Sequence, residues 1–315
     1  MPELPEVETV RAGLAPSLTN AIVTAVDVYD VRSFKRHIGG VEDFKATMIG
    51  SKVLGVVRRG KFLWMPLELA TGRNGDQHLA MVGHLGMSGQ MLLRTPGFDE
   101  DKLTRVVIHA KSASGEMVEM RFVDQRLFGS LAIDELVPTN DGLPGGFSAG
   151  VGSSADGQWW LNRIPASAAH ITRDPLDENF DEQAVLAKFK KKNSGIKRVL
   201  LDQQTLSGIG NIYADEALWR AQLHYDQPSS SISTAKAKEL LAYVRDILAK
   251  AVSEGGTSFD EQYKNVNGES GYFAVSLNAY GMTGLPCKRC GTPIKRENWM
   301  NRGSHFCPKC QKLKG

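Results

Sequence analysis

The residues with the clearest chemical potential open the chain, Met1-Pro2-Glu3-Leu4-Pro5-Glu6. Loss of Met1, usual before a residue as small as proline, would leave Pro2 as a free secondary amine with the Glu3 carboxylate beside it and Glu6 a few residues on. A secondary amine that condenses with a sugar aldehyde carbon gives an iminium with no N–H to lose. The adduct stays cationic, acts as an electron sink and acidifies the neighbouring carbon, which permits elimination. The same residues also read as a plain helix start, with Pro5 at the first helical position and Glu6 and Glu8 against the positive end of the helix. The two readings are compatible, because a helix placed there would aim the amine.

A second cluster lies at the other end. All four cysteines fall in the last 29 residues, as Cys287-Lys-Arg-Cys290 and Cys307-Pro-Lys-Cys310. The spacing C-x2-C-x16-C-x2-C is that of a zinc site. Four thiolates leave no open position for water, so one structural Zn2+ holding a β-hairpin is expected rather than a catalytic metal, with a disulfide pair as the alternative. The hairpin between the ligand pairs carries Lys295, Arg296 and Arg302, suited to phosphates and a DNA groove.

Between these ends four further segments combine unusual residue types. Lys61, after Arg58-Arg59-Gly60, is either a solvated charge at a strand start or a phosphate contact. Met87 sits between glycines in His84-Leu85-Gly86-Met87-Ser88-Gly89, where it is core filler or an exposed wedge that unstacks a base step. Arg126 and Phe128 share the loop Asp124-Gln125-Arg126-Leu127-Phe128-Gly129 and would suit filling a hole in a duplex. Ser207-Gly208-Ile209-Gly210-Asn211 precedes a helical run, so its backbone N–H groups and the Asn211 side chain could meet a phosphate; a plain N-cap and turn is the alternative. Neither the dinucleotide fingerprint nor a P-loop is present.

The elements that must position these residues follow from periodicity. Val7, Val10 and Leu14 predict an amphipathic helix from Pro5 to about Ala15, stopped by Pro16. Ala21 to Met120 alternates in the manner of a mainly antiparallel sandwich or barrel, with Val41 to Met48 as a short helix. Residues 141 to 158 carry six glycines and little periodicity, which reads as a linker or insertion, with Trp159-Trp160 docking its end. Helices are expected at 182–192, 196–201, 212–221 and 234–254, then a long loop over 255–273 that could serve as a lid. The expected domains are 1–140, a linker at 141–170, a helical domain at 171–275 and a zinc finger at 276–315.

Composition sets the frame. The 315 residues are 42% hydrophobic and 23% charged, enough for about two domains with real cores. No apolar run reaches the roughly 18 residues of a membrane span, and no signal-like start is present, so a soluble intracellular protein is expected. The net charge is only +3, yet Tyr280 to Gly315 holds eight basic residues and one acid, Glu297. That imbalance points to a polyanion partner or to a solubilising tail.

In order, MPELPEVETV, RRGKFLW, HLGMSG, DQRLFG, SGIGNIYADEAL, EGGTS with GYF, and the zinc hairpin resemble the formamidopyrimidine-DNA glycosylases over nearly the whole length. The resemblance implies an α+β multidomain enzyme: an N-terminal β-sandwich with flanking helices, then a helix-two-turn-helix domain with a zinc finger, DNA lying across the cleft. It implies a bifunctional glycosylase and abasic-site lyase acting on 8-oxoguanine and formamidopyrimidines in double-stranded DNA. In that scheme Pro2 is the Schiff-base nucleophile, Glu3 the acid assisting sugar opening and Glu6 a supporting carboxylate. Lys61, Asn211, Arg302 and Tyr280 grip phosphates, Lys197 lies near the damaged base, and Met87, Arg126 and Phe128 enter the duplex. Loss of Arg302 should weaken binding and flatten its salt dependence by about one unit of slope. Gln125 and Leu127 depart from the Pro and Arg of some relatives, and the 141–158 insertion is longer than usual. Asymmetric lesions give no reason for a dimer, so a monomer in a bacterial cytoplasm is expected. Two rivals stand beside this reading: the endonuclease VIII branch, against which Leu4 and the Arg126 to Phe128 arrangement speak, and a catalytically silent zinc-containing DNA-binding protein.

Overall fold

A computed structural model describes residues 2–70, 77–148, 158–257, 266 and 273–314. The chain divides into two compact units. Unit 1 holds Met1–Pro2, Glu6–His170 and Ser258–Gly271; unit 2 holds Glu3–Pro5, Ile171–Thr257 and Tyr272–Gly315.

Helix α1 runs Leu4–Leu18, with Pro16 inside it rather than ending it as expected. Proline in a helix leaves the carbonyl four residues back without its donor. Here that residue is Ala12, which like Pro16 is exposed, so water can take the bond, while Leu14 and Leu18 are buried and hold the last turns in place.

Unit 1 is built on ten strands: β1 Ile22–Val28, β2 Lys52–Val53, β3 Val57–Arg59, β4 Phe62–Glu68, β5 Leu79–His84, β6 Gly89–Arg94, β7 Thr104–Lys111, β8 Met117–Asp124, β9 Ser130–Pro138 and β10 Arg163–Pro165. Helix α2, Gly40–Met48, follows β1. The hydrogen-bonded order is β10-β9-β5-β4-β2-β1-β7-β8-β6, with β3 paired to β4, and every pairing is antiparallel. Only one residue pair, Ile22↔Lys52, joins β1 to β2, with backbone hydrogen bonds from Val53 N to Ala21 O and from Val23 N to Ser51 O on either side of it. Strands from both sides of that joint supply one core: Leu63, Met65, Met81 and Leu131 from one, Val23, Ile108, Met120, Phe122 and Met91 from the other. A sheet that meets itself across a shared core is the expected sandwich.

Alternation decides what covers the other face of β4 and β5. Leu63 and Met65 enter the main core, whereas Trp64, Ala80 and Val82 pack with Trp160, Ile164 and Ala168. The end of the expected linker is therefore part of unit 1: β10 pairs with β9, and Trp159 stacks on His78 with ring centroids 4.2 Å apart. Residues 149–157 of the glycine-rich insertion lie outside the described residues.

In unit 2, helices α3 Glu182–Lys191, α4 Ile196–Leu200, α5 Asn211–Ala221 and α6 Thr234–Ser253 precede the hairpin β11 Lys295–Trp299 and β12 Arg302–Phe306. Asp181 caps α3 by accepting from Ala184 N at 2.9 Å, and Ser233 caps α6 from Lys236 N at 3.2 Å. Phe189, Leu200, Tyr213, Leu218, Leu241 and Leu248 form a core that also takes in Leu4, Trp299 and Phe306. Because the hairpin buries two aromatics in that core, the segment expected to be a separate zinc finger at 276–315 shares one body with the helices. Most of the expected lid, 255–273, lies outside the described residues. No described helix is long and apolar enough to cross a membrane.

Candidate nucleic-acid interface and metal centre

The N-terminus of α5 does not wait for a phosphate, as its glycine spacing suggested. It holds the Glu3 carboxylate, which accepts from Gly210 N at 2.6 Å, Ile212 N at 2.9 Å and Tyr213 N at 3.4 Å. These are donors that the helix itself leaves unused, and its positive end favours an anion. Glycine is required at 210 because a Cβ there would lie 2.3 Å from the Glu3 Cδ. Leu4 N donates to Gly208 O at 3.0 Å, so backbone as well as side chain fixes the residue after Pro2.

The tip of the β11–β12 hairpin is held from below by a buried polar network. Lys197 on α4, fully buried, pairs with Asp215 on α5 at 2.6 Å and donates to Ser304 Oγ at 3.0 Å and Gly303 O at 3.3 Å. Asp215 also accepts from His305 N at 2.9 Å and lies 3.1 Å from His305 Nδ1. Burial pushes the Lys197 ammonium below its ordinary pKa, against the pull of Asp215. Lys197, expected near the damaged base, has its ammonium paired inside unit 2, where it supports the strand carrying Arg302. Asn211 Nδ2 donates to the same Gly303 carbonyl at 3.0 Å, so it too braces the tip. Arg302 is exposed at the first position of β12, directly after the two-residue turn Met300-Asn301, and has no ion pair among the described residues. Tyr280 lies close by; burial and the Glu3 charge raise its phenol pKa, while a hydrogen bond from Asn211 opposes them. Glu216, beside Asp215, accepts from the backbone N–H groups of Asn278, Ala279 and Tyr280 at 2.7–3.0 Å.

Cys287, Cys290, Cys307 and Cys310 place their four sulfurs within 4.8 Å of one another. A tetrahedral zinc with bonds of about 2.3 Å needs sulfurs about 3.8 Å apart, so the set fits one closed Zn2+ site. Trp219 Nε1 donates to Cys287 Sγ at 3.4 Å, which orients a ligand from outside the cluster.

In unit 1, Pro2 and Glu6 are buried and Lys61 is half-buried in the two-residue turn between β3 and β4. A buried triad stands behind that turn. Glu8 on α1 accepts from Arg11 at 2.8 Å and from Arg58 Nε at 2.8 Å, and Arg58 also donates to Gly60 O at 3.3 Å. Helix α1 is thereby tied to the turn that carries Lys61.

The β5–β6 and β8–β9 loops bring Met87, Arg126 and Phe128 together as exposed side chains, Met87 at 46% and Phe128 at 47%. An exposed Met and Phe side by side on tight loops are poorly explained as core. Gly86, at φ +63°, has the Phe128 carbonyl carbon 2.5 Å from where a Cβ would sit, so only glycine lets the loops interleave. His84 at the base of the first loop accepts from Gly86 N at 3.1 Å. Burial, with Arg36 and Lys35 adding to it, lowers its pKa to about 4. The Asp124 carboxylate is buried between the loops. Asp124, Asp215, Glu216 and the Glu8–Arg11–Arg58 triad were not singled out from sequence. The available signal for Asp215 and Glu216 was two adjacent acids inside a helix, flanked directly by Ala214 and by Ala217-Leu218.

A hairpin with four clustered thiols presenting arginine, and paired loops presenting exposed Met, Arg and Phe, fit the class of proteins that bind duplex DNA. Comparison with known proteins narrows this. Residues 1–131 match the formamidopyrimidine-DNA glycosylase N-terminal domain, 171–262 the formamidopyrimidine-DNA glycosylase H2TH domain and 284–313 the zinc finger found in FPG and IleRS. The formamidopyrimidine-DNA glycosylase of Leifsonia xyli is 52% identical over 313 residues, covering 99% of this chain and 100% of the relative. That of Streptomyces coelicolor is 46% identical over 312 residues, covering 99% and 98%. Among solved structures, a Lactococcus lactis FPG mutant with Fapy-dG-containing DNA is similar at TM-score 0.77 and 28% identity, covering 99% of this chain and 100% of that one. MutM in complex with carbocyclic 8-oxo-G-containing DNA is similar at TM-score 0.77 and 29% identity, again covering 99% and 100%. The chain belongs to the formamidopyrimidine-DNA glycosylase family.

Proposed function

We propose that this protein removes oxidised purines, 8-oxoguanine and formamidopyrimidines, from duplex DNA and then cleaves the strand at the resulting abasic site. The observation that carries the reading is the exposed Met87, Arg126 and Phe128 on two interleaved loops. A base cannot be attacked inside the stack, and extruding its nucleotide costs a few kcal/mol, less at a damaged pair. Side chains that fill the vacated space offset that loss. Met87 and Arg126 take the place of the nucleotide, and Phe128 wedges beside the estranged base.

The chemistry then belongs to the N-terminus. With Met1 removed, the Pro2 nitrogen attacks C1′, the C1′–N bond to the base breaks and the base leaves with a proton. Ring opening, assisted by Glu3, leaves the sugar as a cationic iminium on Pro2. Loss of a C2′ proton expels the 3′ phosphate, and a second elimination expels the 5′ phosphate. Glu3 is held on the α5 N-terminus with its carboxylate positioned by backbone rather than by a mobile side chain. Glu6 is the supporting carboxylate. Lys61, Arg302 and Tyr280 grip the phosphates around the lesion, and Asn211 serves that task by bracing the hairpin tip. The zinc is structural and keeps Arg302 on a rigid strand. The protein works as a monomer on DNA in the bacterial cytoplasm.

Borohydride reduction during reaction with duplexes carrying 8-oxoguanine or thymine glycol tests this. A covalent adduct with the 8-oxoguanine duplex, mapped to residue 2 by mass spectrometry of the peptides, is expected. No adduct with either duplex would refute the enzyme reading and leave a DNA-binding protein. An adduct with thymine glycol alone would move the protein to the endonuclease VIII branch.

A further inference from the structure

The two inserting loops must enter a base stack together; β5 pairs with β9 and β6 with β8, so the sheet registers their feet at His84↔Ser130 and Gly89↔Asp124, while the loop residues between need something else to hold them to one another. The Asp124 carboxylate, wholly buried, makes the connection. Its Oδ1 accepts from Ser88 Oγ at 2.6 Å and from Arg126 N at 3.2 Å, and its Oδ2 accepts from Gly129 N at 2.7 Å. Arg126 N also lies 3.2 Å from Ser88 Oγ, so hydroxyl, carboxylate and amide form one closed knot. The main chain of Asp124 is fixed in turn, its N–H donating to Leu103 O at 3.2 Å and its carbonyl accepting from Arg105 Nε at 2.8 Å.

The position of the bonded atoms is informative. Ser88 follows Met87 directly, the bonded amide at 126 is that of Arg126 itself, and Gly129 follows Phe128 directly. Each exposed side chain thus has a main-chain or side-chain anchor at its own residue or the next one. A buried aspartate that merely closed its own tight turn would explain the bonds to Arg126 and Gly129. It would not explain the bond from Ser88, 36 residues earlier, on the loop that carries Met87.

We propose that Asp124, acting with Ser88, is a positioning residue that registers the two loops so that Met87, Arg126 and Phe128 enter the duplex as one rigid wedge. The inference rests on the function proposed above. Both carboxylate oxygens must accept, and a carboxylate is the side chain with acceptors alone at both positions. Ordering the loops before insertion spares the entropy of ordering them during it. The wedge is needed when a base has to leave an intact stack. It has no task on a single-stranded abasic oligonucleotide.

Asp124→Asn keeps the shape of the side chain but sets an N–H2 against one of the donors, and Ser88→Ala removes the inter-loop bond with little risk to the fold. The experiment compares single-turnover base release from an 8-oxoguanine duplex with strand cleavage of a single-stranded abasic oligonucleotide, using the zinc-loaded full chain. Base release should fall about tenfold in Ser88→Ala and more in Asp124→Asn, the loss expected for hydrogen bonds to a charged group. Cleavage of the single strand should stay within about twofold of the unsubstituted protein, well below that loss. In the same duplex, 2-aminopurine beside the lesion should report slower unstacking in both variants. Equal losses on both substrates, or no loss on the duplex in Ser88→Ala, would overturn the proposal. Should Asp124→Asn fail to fold, Ser88→Ala decides alone. Failure of the unsubstituted protein to release base would instead refute the proposed function, which keeps the two failures distinct.

Discussion

Replacement of Asp215 by alanine probes the device that supports the hairpin tip. The carboxylate is 1% exposed and faces Lys197 at 2.6 Å and His305 N at 2.9 Å, so its removal strands a fully buried ammonium and a buried amide. Breaking one side of a buried ion pair costs about 3–5 kcal/mol. The melting temperature should fall by about 10 °C, at some 2–4 °C per kcal/mol for a chain of this size. Burial already depresses the Lys197 pKa, and Asp215 opposes that depression. Without Asp215 the folded pKa drops further below the unfolded value, so between the two the unfolded state binds more protons and stability should recover as pH rises. Unfolding in urea, followed by circular dichroism at pH 7 and pH 9, measures both effects. Lys197→Met combined with Asp215→Leu removes both charges and should be far less damaging than the sum of the single changes, by at least about 2 kcal/mol. A cost below about 1 kcal/mol for Asp215→Ala, or simple additivity in the double variant, would refute the account of Lys197 as a buried strut.

Other expectations follow from the same geometry. Gly210→Ala puts a methyl group 2.3 Å from Glu3 Cδ; single-turnover assays should show base release and strand cleavage reduced by about a hundredfold or more, the scale set by misplacing a catalytic group, while affinity for the duplex measured by fluorescence anisotropy changes little. His84 has its pKa lowered from 6.5 to about 4, so the unfolded state takes up the proton first on acidification. Stability should therefore fall as pH drops from about 6.5 to about 4 and lose nothing more from this group below that, with a total of about 2 kcal/mol after allowing for partial solvent exposure. His84→Gln should flatten that part of the pH–stability curve. Zinc chelation should lower the melting temperature and weaken DNA binding together, because Trp299 and Phe306 of the stapled hairpin lie in the core of unit 2; a chelated protein with unchanged melting and binding would count against a structural metal. Arg302→Ala should lower the magnitude of the salt slope of DNA binding by about one, as for the loss of one phosphate contact.

Much of the candidate site is written in local sequence. The cysteine spacing specified the metal, because four thiolates at those intervals can close one tetrahedron whatever surrounds them. Periodicity placed the helices to within a few residues, and the glycines around Met87 announced an exposed loop. At three places a remote partner decided what the local sequence left open. Pro16 stayed inside α1 because Leu14 and Leu18 are buried, which no local rule about proline contains. Gly208 and Gly210 looked like a phosphate cradle, and Glu3, more than 200 residues earlier, occupies the helix end instead. Lys197 was expected near the damaged base, and its charge is paired with Asp215 beneath the hairpin.

By itself, then, the amino-acid sequence determined which groups are chemically able to act: an N-terminal proline with acidic neighbours, four zinc-binding thiols, and Met, Arg and Phe in turn segments. These depend on residue type and short spacing, which the chain carries wherever it folds. Tertiary structure alone decided which of those groups remain exposed and which are consumed within the protein. A buried charge needs a partner, and that partner is set by which elements pack together, as Asp215 is for Lys197 and the α5 N-terminus is for Glu3. The same physics makes Asp124, an unremarked residue at a strand end, the link between two loops far apart in sequence.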